Sequence, residues 1–98
     1  MKVSEITEQN VALYLRLDYS TMISAEIAEL SAILASAKAF VKGHTGLTDI
    51  ELDDHADLSM VVMGKCQMQY DNRGDLVDND KINPFFRSVL DLYSTNFL

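Results

Sequence analysis

The sequence predicts a single all-α domain, a small bundle of about four helices with a long second helix and a short C-terminal helix or tail. Over most of the chain, apolar residues recur at spacings of three and four, the period of a helix that buries one face. A chain of 98 residues has room for only one small core. The composition, 48% hydrophobic and 23% charged with one proline and four glycines, is typical of a folded globular protein.

The first helix is predicted from about Glu8 to Leu17. Thr7 stands before it as a good N-cap, because a threonine hydroxyl accepts a hydrogen bond from an N–H of the first turn. The apolar residues that follow fit helical spacing better than strict alternation: Val11, Leu13, Tyr14, Leu15 and Leu17. The polar residues 18–21 favour turns and caps and are expected to end this helix.

The second helix is the longest and has the clearest limits. Its apolar stripe repeats at spacings of four and three: Ile23, Ile27, Leu30, Leu34, Ala37 and Val41. Glutamates near its start and lysines near its end complement the helix dipole. Gly43 and Gly46 bracket its predicted end, since glycine commonly follows a helix.

Small side chains line the opposite face of this helix: Ala25, Ala28, Ala32, Ala35 and Ala39. Alanine is the best helix former, so an exposed alanine face is one explanation. The other is that small side chains allow a neighbouring helix to approach closely. In that case Ala25, Ala28, Ala32 and Ala35 are candidates for a contact between subunits.

An acidic segment separates the second helix from the third. Ile50 and Leu52 alternate with acidic residues there, which predicts a short extended segment or a loop. Four acidic residues of this segment are candidate functional residues: Asp49, Glu51, Asp53 and Asp54.

The third helix is predicted from about His55 to Asn72, with Asp53 or Asp54 as its cap. One side carries Leu58, Val61, Val62 and Cys66, and another carries Met60, Met63 and Tyr70. A helix that is apolar on two sides is either central to its own core or shared between core and interface. Met60 and Met63 are interface candidates, because methionine side chains adapt to varied partners. Cys66, the only cysteine, is expected to be a small buried hydrophobe.

The C-terminal part begins with a predicted helix stop at Gly74 and an acidic loop at 75–81. Asn83 and Pro84 then predict a cap followed by proline at the first helical position. The last segment, 84–98, is apolar nearly all round, and either docks on another protein or is buried within the monomer. The candidate partner-binding residues are Phe85, Phe86, Val89, Leu90, Tyr93, Phe97 and Leu98.

No motif for catalysis or cofactor binding is evident. The two histidines, His44 and His55, match no established metal-ligand spacing, and we expect them to be solvated loop residues. The acidic loop after Tyr70 has its glycine in the wrong place for a calcium loop and lacks the closing glutamate. The Arg73-Gly74-Asp75 tripeptide is explained by the helix stop. The expectation is a protein that is not an enzyme and has no cofactor or metal.

Charge and hydropathy limit the function further. Fifteen acidic residues against eight basic ones give a net charge of -7, which disfavours a protein that grips DNA or RNA. A protein that surrounds DNA without holding it is still compatible. No stretch approaches the roughly 20 apolar residues of a membrane span, so a soluble, unsecreted protein is expected.

Several short motifs, taken in order, resemble the head-tail connector (adaptor) proteins of tailed phages, some of which are called DNA-packaging proteins. Leu13-Tyr14-Leu15-Arg16-Leu17-Asp18 is similar to the end of that family's first helix. Ala37-Lys38-Ala39-Phe40-Val41 with Thr45-Gly46 resembles the end of its second. Tyr70-Asp71-Asn72-Arg73 is similar to a Tyr-Glu-Asn-Arg element, and Asn83-Pro84 with Leu90 and Tyr93 to the last helix. Asp71 replaces the usual glutamate, and Ser94 stands where arginine is frequent.

The resemblance implies a structural subunit without ATPase activity. Such subunits form a ring, commonly of twelve copies, beneath the portal protein, where the ring extends the DNA channel and binds the next tail or stopper protein. The expected location is the virion neck, with assembly in the host cytoplasm. Tyr70, Asn72 and Arg73 would be structural, and the acidic residues 49–54 would face a channel through which DNA passes unbound. The alternatives are a small helical regulatory module that binds a protein and, disfavoured by charge, a DNA-binding regulator.

Overall fold

The computed structural model describes the backbone of residues 1–72 and 84–92 and the side chains of 1–72 and 88–92. Within those ranges it is helical and contains no strand. The helices are α1 (Glu8–Tyr14), α2 (Ser24–Thr45), α3 (Asp49–Asp53), α4 (Asp57–Asp71) and α5 (Pro84–Leu92), with short 3-10 turns at Val3–Glu5 and Tyr19–Thr21. The predicted all-α class and long second helix are confirmed, and α3 is an additional short helix.

The pair α2 and α4 forms the centre of the bundle. Helices α1 and α5 each pack against both, while α3 packs against the N-terminal 3-10 turn. The core takes residues from all five helices and from the N-terminal segment: Val3, Ile6, Val11, Ala12, Leu30, Leu34, Ala37, Val41, Leu52, Leu58, Val61, Val62, Cys66 and Leu90. The buried side of α4 is the predicted one, and Cys66 is a buried hydrophobe as expected.

Helix α1 starts where predicted and ends three residues early. Thr7 Oγ1 accepts a hydrogen bond from the Asn10 N–H, and Asn10 Oδ1 accepts one from the Thr7 N–H at 2.8 Å. At the other end Arg16 has a left-handed backbone with φ 62°, and Leu17 N–H bonds the Ala12 carbonyl at 2.8 Å. This is the Schellman arrangement, usually built on glycine. Because arginine gives no such signal, the sequence predicted too long a helix.

Helix α2 ends at Thr45, one residue before Gly46, whose φ of 74° supplies the left-handed C-cap. Gly43 is therefore inside the helix, and of the two glycines only Gly46 ends it. Of the predicted apolar stripe, Leu30, Leu34, Ala37 and Val41 are buried and Ile27 is half-buried, whereas Ile23 is exposed as the N-cap residue.

The acidic segment after α2 is helical, so the predicted loop or extended strand is wrong. Thr48 and Glu51 form a reciprocal capping box: the Thr48 N–H donates to Glu51 Oε1 at 2.9 Å, and the Glu51 N–H donates to Thr48 Oγ1 at 3.2 Å. This pattern favours a helix start over an extended chain. The predicted cap of the next helix by Asp53 or Asp54 is also wrong, because Ala56 occupies the N-cap position of α4 without a side-chain hydrogen bond.

Candidate functional site

The alanine face of α2 is a free surface of the described fold. Ala25, Ala28, Ala32, Ala35 and Ala39 are all exposed, as expected from their position opposite the buried stripe. Beside this face, Gln69 of α4 donates a hydrogen bond to Ser36 Oγ at 3.1 Å, which ties α2 to α4. The contact between subunits remains a hypothesis, because exposure agrees with both explanations of the alanines.

The two methionines proposed for an interface differ in exposure. Met60 is 58% exposed, whereas Met63 is half-buried and packs against the core. Only Met60 therefore offers most of its side chain to a partner, and the central-core interpretation of α4 applies to Met63.

The acidic residues expected to face a channel are largely engaged within the chain. Asp49 pairs with Lys42 at 3.2 Å, Glu51 caps α3, and Asp53 is bonded to Ser4. Hydrogen bonds from Thr48 lower the pKa of Glu51. Asp54 is exposed at the C-terminal end of α3. These contacts hold three of the four carboxylates in structural roles.

The start of the C-terminal segment packs on the bundle. Leu90 is fully buried, Val89 is half-buried and Leu92 is 79% exposed. Leu90 is thus part of the monomer core, and its assignment as a residue that meets a partner does not fit this arrangement. The side chains of Phe85 and Phe86, and residues Tyr93, Phe97 and Leu98, lie outside the described part.

A contact between His44 and Asp91 also joins α5 to the bundle. His44 Nε2 lies 3.0 Å from Asp91 Oδ1, and the imidazole is half-buried in the last turn of α2. The expectation that His44 is a solvated loop residue is therefore wrong, because α2 extends to Thr45. His55 precedes α4 and is partly exposed.

Lys65 is a site that sequence reasoning missed. Its side chain is 1% exposed, and its ammonium lies 4.2 Å from the centroid of the Phe40 ring. A cation over an aromatic face is attracted by the ring quadrupole, the more so away from water. A signal existed: Lys65 follows Leu58 by seven residues and Val61 by four, which places it on the buried side of α4.

A groove of about 320 Å³ lies between the end of α4, the connection from α1 to α2 and the start of α2. Tyr70 lines it together with Leu17, Met22 and three carboxylates: Asp18, Glu26 and Glu29. Asn72 closes α4, donating from Nδ2 to the Met68 carbonyl at 2.8 Å. This agrees with a structural role for Asn72. Arg73, Gly74, Asn83 and the loop predicted at 75–81 lie outside the described residues.

A second groove, of about 420 Å³, lies between the N-terminal turn, α2 and α3. Lys38 and Lys42 are at its edge, yet Lys38 Nζ donates to the Ile6 carbonyl at 3.3 Å and Lys42 pairs with Asp49. The negative charges of Asp49 and Asp53 balance the positive charges of the two lysines. The groove therefore has no net charge that would select a ligand.

The described residues offer no evident reactive centre. Within 1–72 and 84–92, no three histidine, cysteine, aspartate or glutamate side chains are grouped to hold a metal ion. Burial raises the pKa of the Cys66 thiol to about 12, so the thiolate that reacts as a nucleophile is scarce at neutral pH. None of the helices in these ranges combines the length and apolar character of a membrane-spanning segment.

Comparison with protein-family models, curated proteins and solved structures finds no match to this chain. The resemblance to head-tail connectors therefore depends on the motifs of the chain itself.

Proposed function

We propose that this chain is a structural head-tail connector subunit of a tailed phage or prophage. In this role it forms a ring under the portal protein, extends the DNA channel and binds the next tail or stopper protein, without catalysis. DNA passes through without specific binding, as the net charge of -7 favours.

The observation that carries the proposal is where the family-like motifs lie. Some residues of each motif lie at a helix end: Arg16 in the stop of α1, Thr45-Gly46 at the stop of α2, Tyr70 and Asn72 at the end of α4, and Pro84 at the first position of α5. Such residues define where helices begin and end, and therefore how the bundle is connected. The order of these residues along the chain and their places at helix ends support the proposed architecture.

The surface best suited to a neighbouring subunit is the alanine face of α2, with Met60 as a second candidate. The alanines cover a long helix face without large or charged side chains, which allows another helix to approach closely. The C-terminal contact with the portal is assigned to the candidate residues other than Leu90, because Leu90 itself is buried.

The test combines the chain with its cognate portal protein and measures stoichiometry by size-exclusion chromatography with light scattering. We expect a complex with several copies of this chain per portal ring. A chain that stays monomeric and never joins portal rings would contradict the proposal. Binding of one copy to a different soluble protein would instead favour the regulatory module.

A matched pair of variants tests the surface. Ala32→Glu places a charge in the middle of the alanine face, while Gln67→Glu places the same charge at an exposed position of α4. Both positions are exposed, so monomer stability is expected to stay within about 0.5 kcal/mol of the wild type. We expect only Ala32→Glu to prevent incorporation into portal assemblies. Equal incorporation of both variants would exclude the alanine face as the contact.

A further inference from the structure

The attachment of α5 to the bundle combines an apolar anchor with an adjacent titratable contact. Leu90 is fully buried, and the next residue, Asp91, has its carboxylate 3.0 Å from the imidazole of His44. His44 belongs to α2 and Asp91 to α5, so this contact exists only while α5 is docked.

A histidine side chain ordinarily gains its proton near pH ~6.5. A neutral imidazole gives a neutral donor to the carboxylate, whereas an imidazolium gives a charge-assisted hydrogen bond, which is shorter and roughly twice as strong.

Other charged residues belong to α2, α4 and α5, the helices that meet at this pair. Lys65 of α4 lies over the Phe40 ring, and that ring is 6.0 Å from the His44 ring. The Lys65 ammonium repels a second positive charge. Lys42, earlier on α2, is paired with Asp49 of α3. In α5, position 87 is an arginine one turn before Asp91.

We infer that the His44–Asp91 contact makes the docking of α5 sensitive to pH, so that α5 is held more tightly in mild acid than at alkaline pH. Undocking of α5 uncovers the surface of α2 and α4 that Leu90 occupies. The inference is independent of the connector proposal, because it concerns the isolated chain.

The effect is expected to be modest. The side chains are 23% and 61% exposed, and partly exposed ion pairs contribute little to stability. We expect the protection of α5 amides against hydrogen exchange to rise by about two- to fivefold between pH ~8 and pH ~5.5.

Hydrogen exchange of the full chain, followed by NMR and corrected for the intrinsic pH dependence of amide exchange, measures this change. The amides of α2 serve as an internal reference for global opening. Asp91→Asn keeps an oxygen acceptor and removes the charge, and we expect it to abolish the rise in α5. His44→Gln should do the same, whereas His55→Gln, at the other histidine, should retain it.

Three results would overturn the inference. One is an α5 protection that does not depend on pH in the wild type. Another is an equal rise in the wild type and Asp91→Asn. The third is loss of the rise in His55→Gln, which would assign the titration to the other histidine.

Discussion

Asp53 holds Ser4 across 49 positions of sequence: its Oδ1 accepts the Ser4 N–H at 2.9 Å and its Oδ2 accepts the Ser4 hydroxyl at 2.6 Å. The pair fastens the N-terminal turn to α3, and with it the buried side chains of Val3 and Leu52. The acidic segment thus has a structural task in the monomer.

We expect this pair to make stability depend on pH in the acid range. The hydrogen bonds from the Ser4 hydroxyl and then its backbone N–H lower the pKa of Asp53. A carboxyl with a lowered pKa in the folded state contributes stability above its ordinary pKa of about 3.9, and loses it as pH falls through the lowered value. Asp53→Asn should therefore be less stable than the wild type near neutral pH and approach it in acid.

Urea unfolding at several values of pH measures this difference. Asp54→Asn is the matched control, since Asp54 is exposed and adjacent, and its effect should be smaller at neutral pH. A difference between Asp53→Asn and the wild type that stays constant down to strong acid would refute the role of this carboxylate.

The two glycines at the end of α2 are expected to respond oppositely to alanine. A Cβ added at Gly43 meets nothing within 4 Å, and alanine is a better helix former, so Gly43→Ala should stabilise the fold by about 0.5–1 kcal/mol. Gly46 has a φ of 74°, and Gly46→Ala should destabilise it by about 1 kcal/mol. Urea midpoints at unchanged m-value test both, and a shift in the same direction for the two variants would contradict this account.

The contact between Lys65 and Phe40 is expected to appear as a coupling energy. Phe40→Leu loses packing contacts whether residue 65 is lysine or methionine. It loses the cation–π attraction only when residue 65 is lysine. Lys65→Met keeps most of the chain length and removes the charge. A double-mutant cycle should give a coupling of about 0.5–2 kcal/mol, and a value near zero would show that the ring only fills space.

Leu90 is expected to carry most of the stability that α5 contributes. Leu90→Ala should destabilise the fold by about 2–5 kcal/mol, as for other fully buried leucines. Leu92→Ala, at a position 79% exposed, should change the unfolding free energy by less than about 0.5 kcal/mol. Equal effects would show that α5 is not docked in solution as described.

Removing residues 84–98 tests whether the C-terminal segment is part of the domain. Since Leu90 is in the core, such a truncation exposes apolar surface of α2 and α4 and should lower stability. An intact, equally stable domain after truncation at Asn83 would restore the simpler view of a separate docking tail.

Local signals determined the all-α class, the long second helix and most helix limits, because caps, glycine and proline act on residues a few positions apart. Thr7, Gly46 and Pro84 were correctly assigned for that reason. The same logic failed at Arg16, where a non-glycine residue takes the left-handed conformation, and at Thr48 and Glu51, whose capping box was hidden by alternating apolar and acidic residues.

Only the tertiary structure decided which charged and apolar side chains are available to partners. The helical period puts Lys65 on the inner side of α4, but its burial over Phe40 depends on how α2 and α4 pack. Asp53 looks like any other acid of its segment until Ser4 is brought to it, and Leu90 looks like part of an exposed tail until α5 reaches the bundle. Contacts between distant positions depend on packing, which the spacing of residues within one helix does not encode.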